Sequence, residues 1–281
     1  MSETQLDLDE INQILENALR EDIGSGDITT NMLFQYDAEC KAIILAKEEG
    51  LVAGLPIAEM VFRKLDKDIF WSEEKKDGDK VEPNQVLAEI TGSQKAVLTG
   101  ERVALNFLQR LSGIATLTSR FVKAINGLPV KILDTRKTAP GLRILDKYAV
   151  RIGGGYNHRF GLYDGVLIKD NHIRLAGGIT KAVNILRERA VTQKRIEVEA
   201  STIDEVKEAL EVGADIIMLD NMALKMIKEA VSLINSRAPI EVSGGVTTEN
   251  VREIAETGVD FISVGLLTHS PRALDIGLYV V

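Results

Sequence analysis

Residues 195–220 read RIEVEASTIDEVKEALEVGADIIMLD, a strand, a helix and a second strand in one run. RIEVEA and DIIMLD are short and rich in aliphatic residues, and IDEVKEALEVGA between them repeats apolar side chains at helical spacing. The unit recurs in both directions. KILDT, DGVLIKD, PIEVSGG and DFISVG read as further strands, separated by helical stretches such as ITKAVNILRERA, MALKMIKEAVSLI and TENVREIAETG. Repeated strand–helix units predict a parallel sheet with helices outside it. No GxGxxG follows the first strand, which argues against a dinucleotide fold.

Strand parity narrows the architecture. Val166 and Ile168, Ile196 and Val198, Ile217 and Leu219, Ile240 and Val242, and Ile262 and Val264 form one apolar set, expected to face the helices. The opposite parity carries Lys169, Glu197, Glu199, Asp220, Glu241, Ser243 and Ser263, at or near the carboxyl ends. An open doubly wound sheet buries both faces and cannot host so many polar groups, whereas a barrel gathers them in its mouth. Six visible strands fall short of a full (β/α) barrel, so the pattern predicts an incomplete parallel α/β barrel of six or seven strands. Its open edge needs cover, from the first domain or a partner subunit.

Upstream the pattern differs. Asp9 is placed to cap a helix running to about Arg20 that Gly24 stops, and EDIGSGDITT reads as a connection whose Asp pair is a weak metal candidate. CKAIILAKEEG and IFWSEEKKDGDKV read as strands around the helix LPIAEMVFRKL. DGDKVEPNQVLAEITG resembles the hammerhead sandwich of biotinyl and lipoyl carrier domains, without a lysine in the setting that a carrier needs, so it reads as structural. TGERVALNFLQRLSGIATLT is one helical stretch with Gly113 as a break. These features predict an N-terminal α/β sandwich domain over 1–111, joined by a C-terminal strand within 271–281, and a barrel domain over 112–270.

With 281 residues, 45% of them apolar, the chain reads as soluble and globular. A net charge of −8 argues against broad nucleic-acid or membrane-surface binding. Cys40, the single cysteine, excludes an intramolecular disulfide. The opening MSETQLDLDEINQ lacks a basic, then apolar leader, so the expected compartment is the cytoplasm.

Against that acidic background, the stretch 131–172 holds eight lysines and arginines against four aspartates, and two of the three histidines. It reads as a pocket for a small polyanion. Arg143, Lys147 and Arg151, four apart, read as the solvated face of a helix. Arg136, Lys137, His158, Arg159 and Lys169 are too many cations for one sugar phosphate. They suit a pyrophosphate together with carboxylates. His158 reads either as a catalytic base, for which no neighbouring carboxylate is evident, or equally as a cation that binds a dicarboxylate. Ser243-Gly244-Gly245 and Val264-Gly265-Leu266 are two turns at adjacent strand ends that present backbone N–H groups where helices begin, a phosphate site. Glu199 and Asp220 beside them can hold Mg²⁺ or steady a developing cation, or else form salt bridges to Lys169. Glu197 and Glu241 lie deeper and read as an internal ion-pair network.

DTRKTAPGLR, GGGYNHRFGLYDGVLIKDNH, IEVEA, MLDN, EVSGG and ISVGLLTHS, preceded by GERVALNFLQRLSGIAT, resemble the quinolinate phosphoribosyltransferase family over nearly the whole chain. The resemblance implies transfer of phosphoribose from phosphoribosyl pyrophosphate to quinolinate with decarboxylation, using Mg²⁺, in NAD biosynthesis. It implies an N-terminal sandwich, an incomplete barrel and a homodimer with shared sites, with higher assembly left open. By the resemblance, Arg136, His158 and Arg159 hold the carboxylates of quinolinate, and Arg102 comes from the other subunit. Thr135, Lys137 and Lys169 contact substrate; Glu199 and Asp220 serve the ribose and Mg²⁺; Ser243 to Gly245 and Val264 to Leu266 take the 5′-phosphate. Lys137, Lys169, Glu199 and Asp220 form the expected catalytic set. Leu266 stands where the family commonly has a small residue. A molybdenum-transport-associated sister of the same fold, an enzyme acting on nicotinate and a noncatalytic sugar-phosphate sensor are the competing readings.

Overall fold

The computed structural model describes residues 7–189 and 194–281. Both the opening six residues and the end of ITKAVNILRERA at Ala190 fall outside them. The chain forms two compact units, one made of the residues through Ser119 with Thr138–Gly154 and Thr268–Val281, the other of Arg120–Lys137 and Gly155–Leu267.

The first unit begins with α1 (Leu8–Ile23), whose apolar stripe Ile11, Leu15 and Leu19 is buried. Asp7, not Asp9, is the cap: its carboxylate accepts from the backbone N–H groups of Asp9 and Glu10. The following connection contains a short α2 (Ile28–Leu33), capped by Asp27. Then come β1 (Glu39–Ala46), β2 (Gly50–Leu51), α3 (Leu55–Leu65), β3 (Phe70–Glu73), β4 (Lys80–Val81), β5 (Val86–Ser93) and the long α4 (Gln94–Ala124). Gly113 does not break α4. A Cβ at this position would lie 2.1 Å from the Arg272 carbonyl oxygen, so glycine admits the returning chain.

Later in sequence, β6 (Lys131–Leu133) precedes α5 (Arg143–Ile152), and α5 belongs to the first unit. It is not a solvated face. Lys147 is 2% exposed, and the neighbouring Asp146 is fully buried under a two-point clasp from Arg110, with Nε at 2.9 Å and Nη2 at 2.7 Å. Four-residue spacing reads the same on a packed helix as on a wet one, which is why the pattern misled.

The second unit continues with β7 (Val166–Ile168), α6 (Asp170–Ala176), α7 (Ile179–Glu188), β8 (Ile196–Ala200), α8 (Ile203–Glu211), β9 (Ile216–Asp220), α9 (Leu224–Ile234), β10 (Ile240–Ser243), α10 (Val251–Ala255), β11 (Phe261–Ser263) and the single turn α11 (Leu266–His269). The final strand, β12 (Ile276–Val280), pairs antiparallel with β1, giving the order β12-β1-β5-β3 in the first unit's sheet.

The second sheet runs β6-β11-β10-β9-β8-β7, with its pairs parallel. First strand beside last is the neighbour relation of a barrel, and the seam between β6 and β7 remains open, as an incomplete barrel requires. Tyr156 forms one parallel bridge to Leu133 on β6. Val198, Ile217, Leu219, Val242 and Ile262 are almost completely buried. Each contributes roughly 1.5–3 kcal/mol by burial, which fixes the register: a one-residue slip would turn the charged parity into the apolar layer. Among the described residues, no helix is long and apolar enough to cross a membrane.

Candidate active site

The polar parity of the second sheet assembles the site. Parallel pairing sets Glu199 beside Met218, Asp220 beside Ser243, and Ser243 beside Ser263. Glu199 and Asp220 therefore project from adjacent strands on one face. Glu199 is buried and accepts from the Lys169 Nζ at 2.8 Å, while Lys169 keeps 47% of its side chain in solvent. The salt bridge considered for these carboxylates is thus made by Glu199. Its energy is modest, because the lysine is well hydrated. His172 accepts the Lys169 backbone N–H through Nδ1 at 3.0 Å, which settles the start of α6.

Asp220 accepts from the Asn221 side-chain amide at 2.8 Å. Asn221 adopts φ 51°, and its Oδ1 would lie 2.2 Å from a Cβ at residue 244. With φ at +90°, Gly244 is thus required twice, by its backbone and by the amide that backs Asp220. Only Val264-Gly265-Leu266 leads directly into a helix, α11; the Ser243–Gly245 turn is separated from α10 by a further turn. A cavity of about 380 Å³ borders Gly244, Gly245, Asn221 and Asn250, but Val242 and Ile227 in its wall show that it opens on the helix side of the sheet. None of the expected cations lines it.

After β6, Asp134 is fully buried and grips the loop that carries the cations. Its Oδ1 accepts from the His158 N–H at 2.9 Å and its Oδ2 from the Asn157 amide at 2.6 Å. The Thr135 hydroxyl accepts the Lys137 N–H at 3.0 Å, turning the chain around Arg136. Arg159 donates through Nη1 to the Gly165 carbonyl at 2.9 Å. Burial and then the nearby Arg136 guanidinium push Arg159 below the usual arginine range, against the opposing pull of Glu197 and Asp164. Two neighbouring arginines in a half-buried setting suit an anion.

His158 does have carboxylate neighbours. Its Nε2 lies 3.2 Å from Glu197 and 3.5 Å from Glu241, both buried. The internal network of the two glutamates thus has the histidine as its partner. Burial and then Glu197 push the Glu241 carboxyl up to about 8. These three side chains could approach a common metal ion. Arg102 belongs to α4 of the first unit, and its side chain is 58% exposed.

Reading the sequence missed Asp134, Asn157 and Asn221. The only signal was adjacency, since Asp134 opens DTRKT, Asn157 precedes His158-Arg159, and Asn221 follows Asp220.

A family model for the quinolinate phosphoribosyl transferase C-terminal domain matches residues 114–279, and one for the N-terminal domain of the same family matches residues 27–112. The chain belongs to the quinolinate phosphoribosyltransferase family. A family member from Nicotiana tabacum, quinolinate phosphoribosyltransferase (decarboxylating) 1b, is 47% identical over 286 residues, covering 95% of this chain and 81% of that protein. The chloroplastic nicotinate-nucleotide pyrophosphorylase (carboxylating) of Arabidopsis thaliana is 46% identical over 291 residues, covering 96% and 83%. Among solved structures, the nicotinate-nucleotide pyrophosphorylase from Francisella tularensis superposes with a TM-score of 0.93 at 43% identity, over 99% of this chain and 98% of that one. The quinolinate phosphoribosyltransferase family thus accounts for both units.

Proposed function

We propose that the protein transfers phosphoribose from phosphoribosyl pyrophosphate to quinolinate, releasing pyrophosphate and CO₂ and leaving nicotinate mononucleotide for NAD biosynthesis. The observation that carries this reading is the pairing of Arg136 with Arg159 in the same unit that sets Glu199 and Asp220 on adjacent strand ends. One cluster demands an anionic acid and the other suits a developing cation.

In this reading the quinolinate ring nitrogen donates its lone pair to C1 of the ribose as the C1–O bond to pyrophosphate breaks. Positive charge grows on the sugar, and Glu199 and Asp220 stabilise it. Lys137 and Lys169 take the charge of the leaving group. Arg136 and Arg159 bind the carboxylates in the forked geometry that guanidinium favours. The ring nitrogen, now positively charged, stabilises the electron pair left when the adjacent carboxylate departs as CO₂, and a solvent proton completes the ring. The turns at Ser243–Gly245 and Val264–Leu266 hold the 5′-phosphate.

Magnesium fits this donor set. Mg²⁺ takes few protein oxygens beside substrate phosphates, and the carboxylates of Glu199 and Asp220 supply that number. When bound it would neutralise charge on the departing pyrophosphate.

Arg102 supports a homodimer with shared sites. It lines a surface cavity of about 290 Å³ with Asp27, Leu98 and Thr99. On nearby α2, Ile28, Met32 and Leu33 expose 69–77% of their surface, an apolar patch suited to a second copy. The acidic composition and single cysteine support a cytoplasmic protein. The test of the reaction is turnover of phosphoribosyl pyrophosphate with quinolinate, read by mass detection of the nucleotide. Binding without turnover would support the sensor reading.

A further inference from the structure

The loop between α5 and β7 carries Arg159 on one limb and closes on itself within the second unit. Asp164 accepts the Phe160 N–H through Oδ2 at 2.6 Å and the Gly161 N–H through Oδ1 at 2.8 Å. The Tyr163 carbonyl accepts from the Lys194 side chain, and the Gly165 carbonyl from Arg159 Nη1 at 2.9 Å. Burial does not hold this turn, since Leu162 and Tyr163 at its tip each expose 72% of their surface. Hydrogen bonds hold it, and Asp164 accepts two of them. Gly165 is glycine for the sake of a neighbour and not of its own backbone. Its φ lies outside the left-handed region, so the main chain alone would accept a side chain there. A Cβ at this position would stand 3.2 Å from Arg159 Cβ and 3.4 Å from its Cδ, closer than packed carbons normally approach. The arginine stem lies in the room that the glycine leaves.

We propose that Asp164 and Gly165 are positioning residues: the turn they form holds Arg159 by one terminal nitrogen, so that the edge made of Nε and Nη2 is the one offered to an acid. A guanidinium grips a carboxylate at two points along one edge. Within this chain Arg110 clasps Asp146 by that same edge, Nε at 2.9 Å and Nη2 at 2.7 Å. With Nη1 engaged by Gly165, the corresponding edge of Arg159 remains, and no hydrogen bond among the described residues occupies it. An arginine left to rotate would offer either edge and would lose side-chain freedom on binding, whereas one tethered at Nη1 is already ordered. Asp164 and Gly165 do not touch the acid; both act through Arg159.

This inference rests on the proposed role of Arg159 for its kinetic consequence but not for its structural one. Phenylglyoxal condenses with both terminal nitrogens of an arginine, so a held Nη1 slows the reaction. Labelling of the folded protein without substrate, mapped by peptide mass, is read as the rate at Arg159 divided by the rate at Arg110, which lies in the other unit. Asp164→Ala should raise this ratio about threefold or more, the scale of one released hydrogen bond. Asp164→Asn keeps one of the two acceptor oxygens and should fall between. An unchanged ratio overturns the tether, whether or not quinolinate is turned over. In kinetics, Gly165→Ala should raise the KM for quinolinate about threefold to tenfold, while kcat and the KM for phosphoribosyl pyrophosphate stay within about twofold, as a displaced fork requires. In an Arg159→Ala background the same change should add less than about twofold. Equal losses in both backgrounds, or a parallel loss for phosphoribosyl pyrophosphate, refute positioning through Arg159.

Discussion

Replacing Glu241 by glutamine tests the buried carboxylate pair through stability. Glutamine keeps the shape of a protonated carboxyl, can donate to Glu197 and can accept from His158, but it does not titrate. In the folded protein burial and Glu197 hold the Glu241 carboxyl up to about 8, against an ordinary value of 4.5. Below pH 4.5 both folded and unfolded chains carry the proton, and stability owes nothing to the shift. Between 4.5 and 8 only the unfolded chain releases it, so the folded state binds more protons and wild-type stability falls as pH rises. Above 8 the loss is complete. The full interval would cost on the order of 5 kcal/mol for an isolated group, an upper bound for a carboxyl coupled to its neighbours. Glu241→Gln should therefore match the wild type in thermal melts at pH 5 and exceed it by about 5 °C or more at pH 8.5. Melting curves that run parallel between those two pH values, or a variant that loses ground as pH rises, would refute the raised Glu241 carboxyl.

Arg159→Ala should weaken quinolinate binding by about 1.5–3 kcal/mol with little effect on phosphoribosyl pyrophosphate, measured by calorimetry, and equal loss for both ligands would sink its assignment to the acid. Gly113→Ala, with its Cβ set 2.1 Å from the Arg272 carbonyl, should cost roughly 2–3 kcal/mol in chemical unfolding, whereas a helix-breaking glycine would make the same change stabilising. Asn221→Ala removes the amide that backs Asp220 and should lower kcat about tenfold or more with quinolinate affinity intact; an unchanged kcat would show that Asp220 needs no support. Subunit exchange between Arg102→Ala and Glu199→Gln proteins should restore part of the activity, and verified hybrids without recovery would argue against a shared site.

The barrel was legible because its evidence is periodic. Strands with one apolar and one charged parity allow few architectures and point to a barrel, although the position of the open seam, between β6 and β7, is not in the pattern. Glu199 and Asp220 were legible for the same reason. What escaped depends on contacts between distant residues. Gly113 reads as a helix breaker until the carbonyl of Arg272, far along the chain, arrives beside it. Lys147 reads as a wet surface until α5 packs down. The partners of His158 are on β8 and β10, some 40 and 80 residues away on the strand face that parity analysis had marked as charged. Combining that parity with the Asn157-His158-Arg159 loop would have located the network; reading each motif singly could not.

The most direct measurement is product analysis after incubating the protein with phosphoribosyl pyrophosphate and Mg²⁺, with quinolinate and nicotinate in parallel. The account predicts nicotinate mononucleotide, pyrophosphate and CO₂ from quinolinate and no nucleotide from nicotinate. Nucleotide from nicotinate alone, or none from either acid with folded protein, would contradict it.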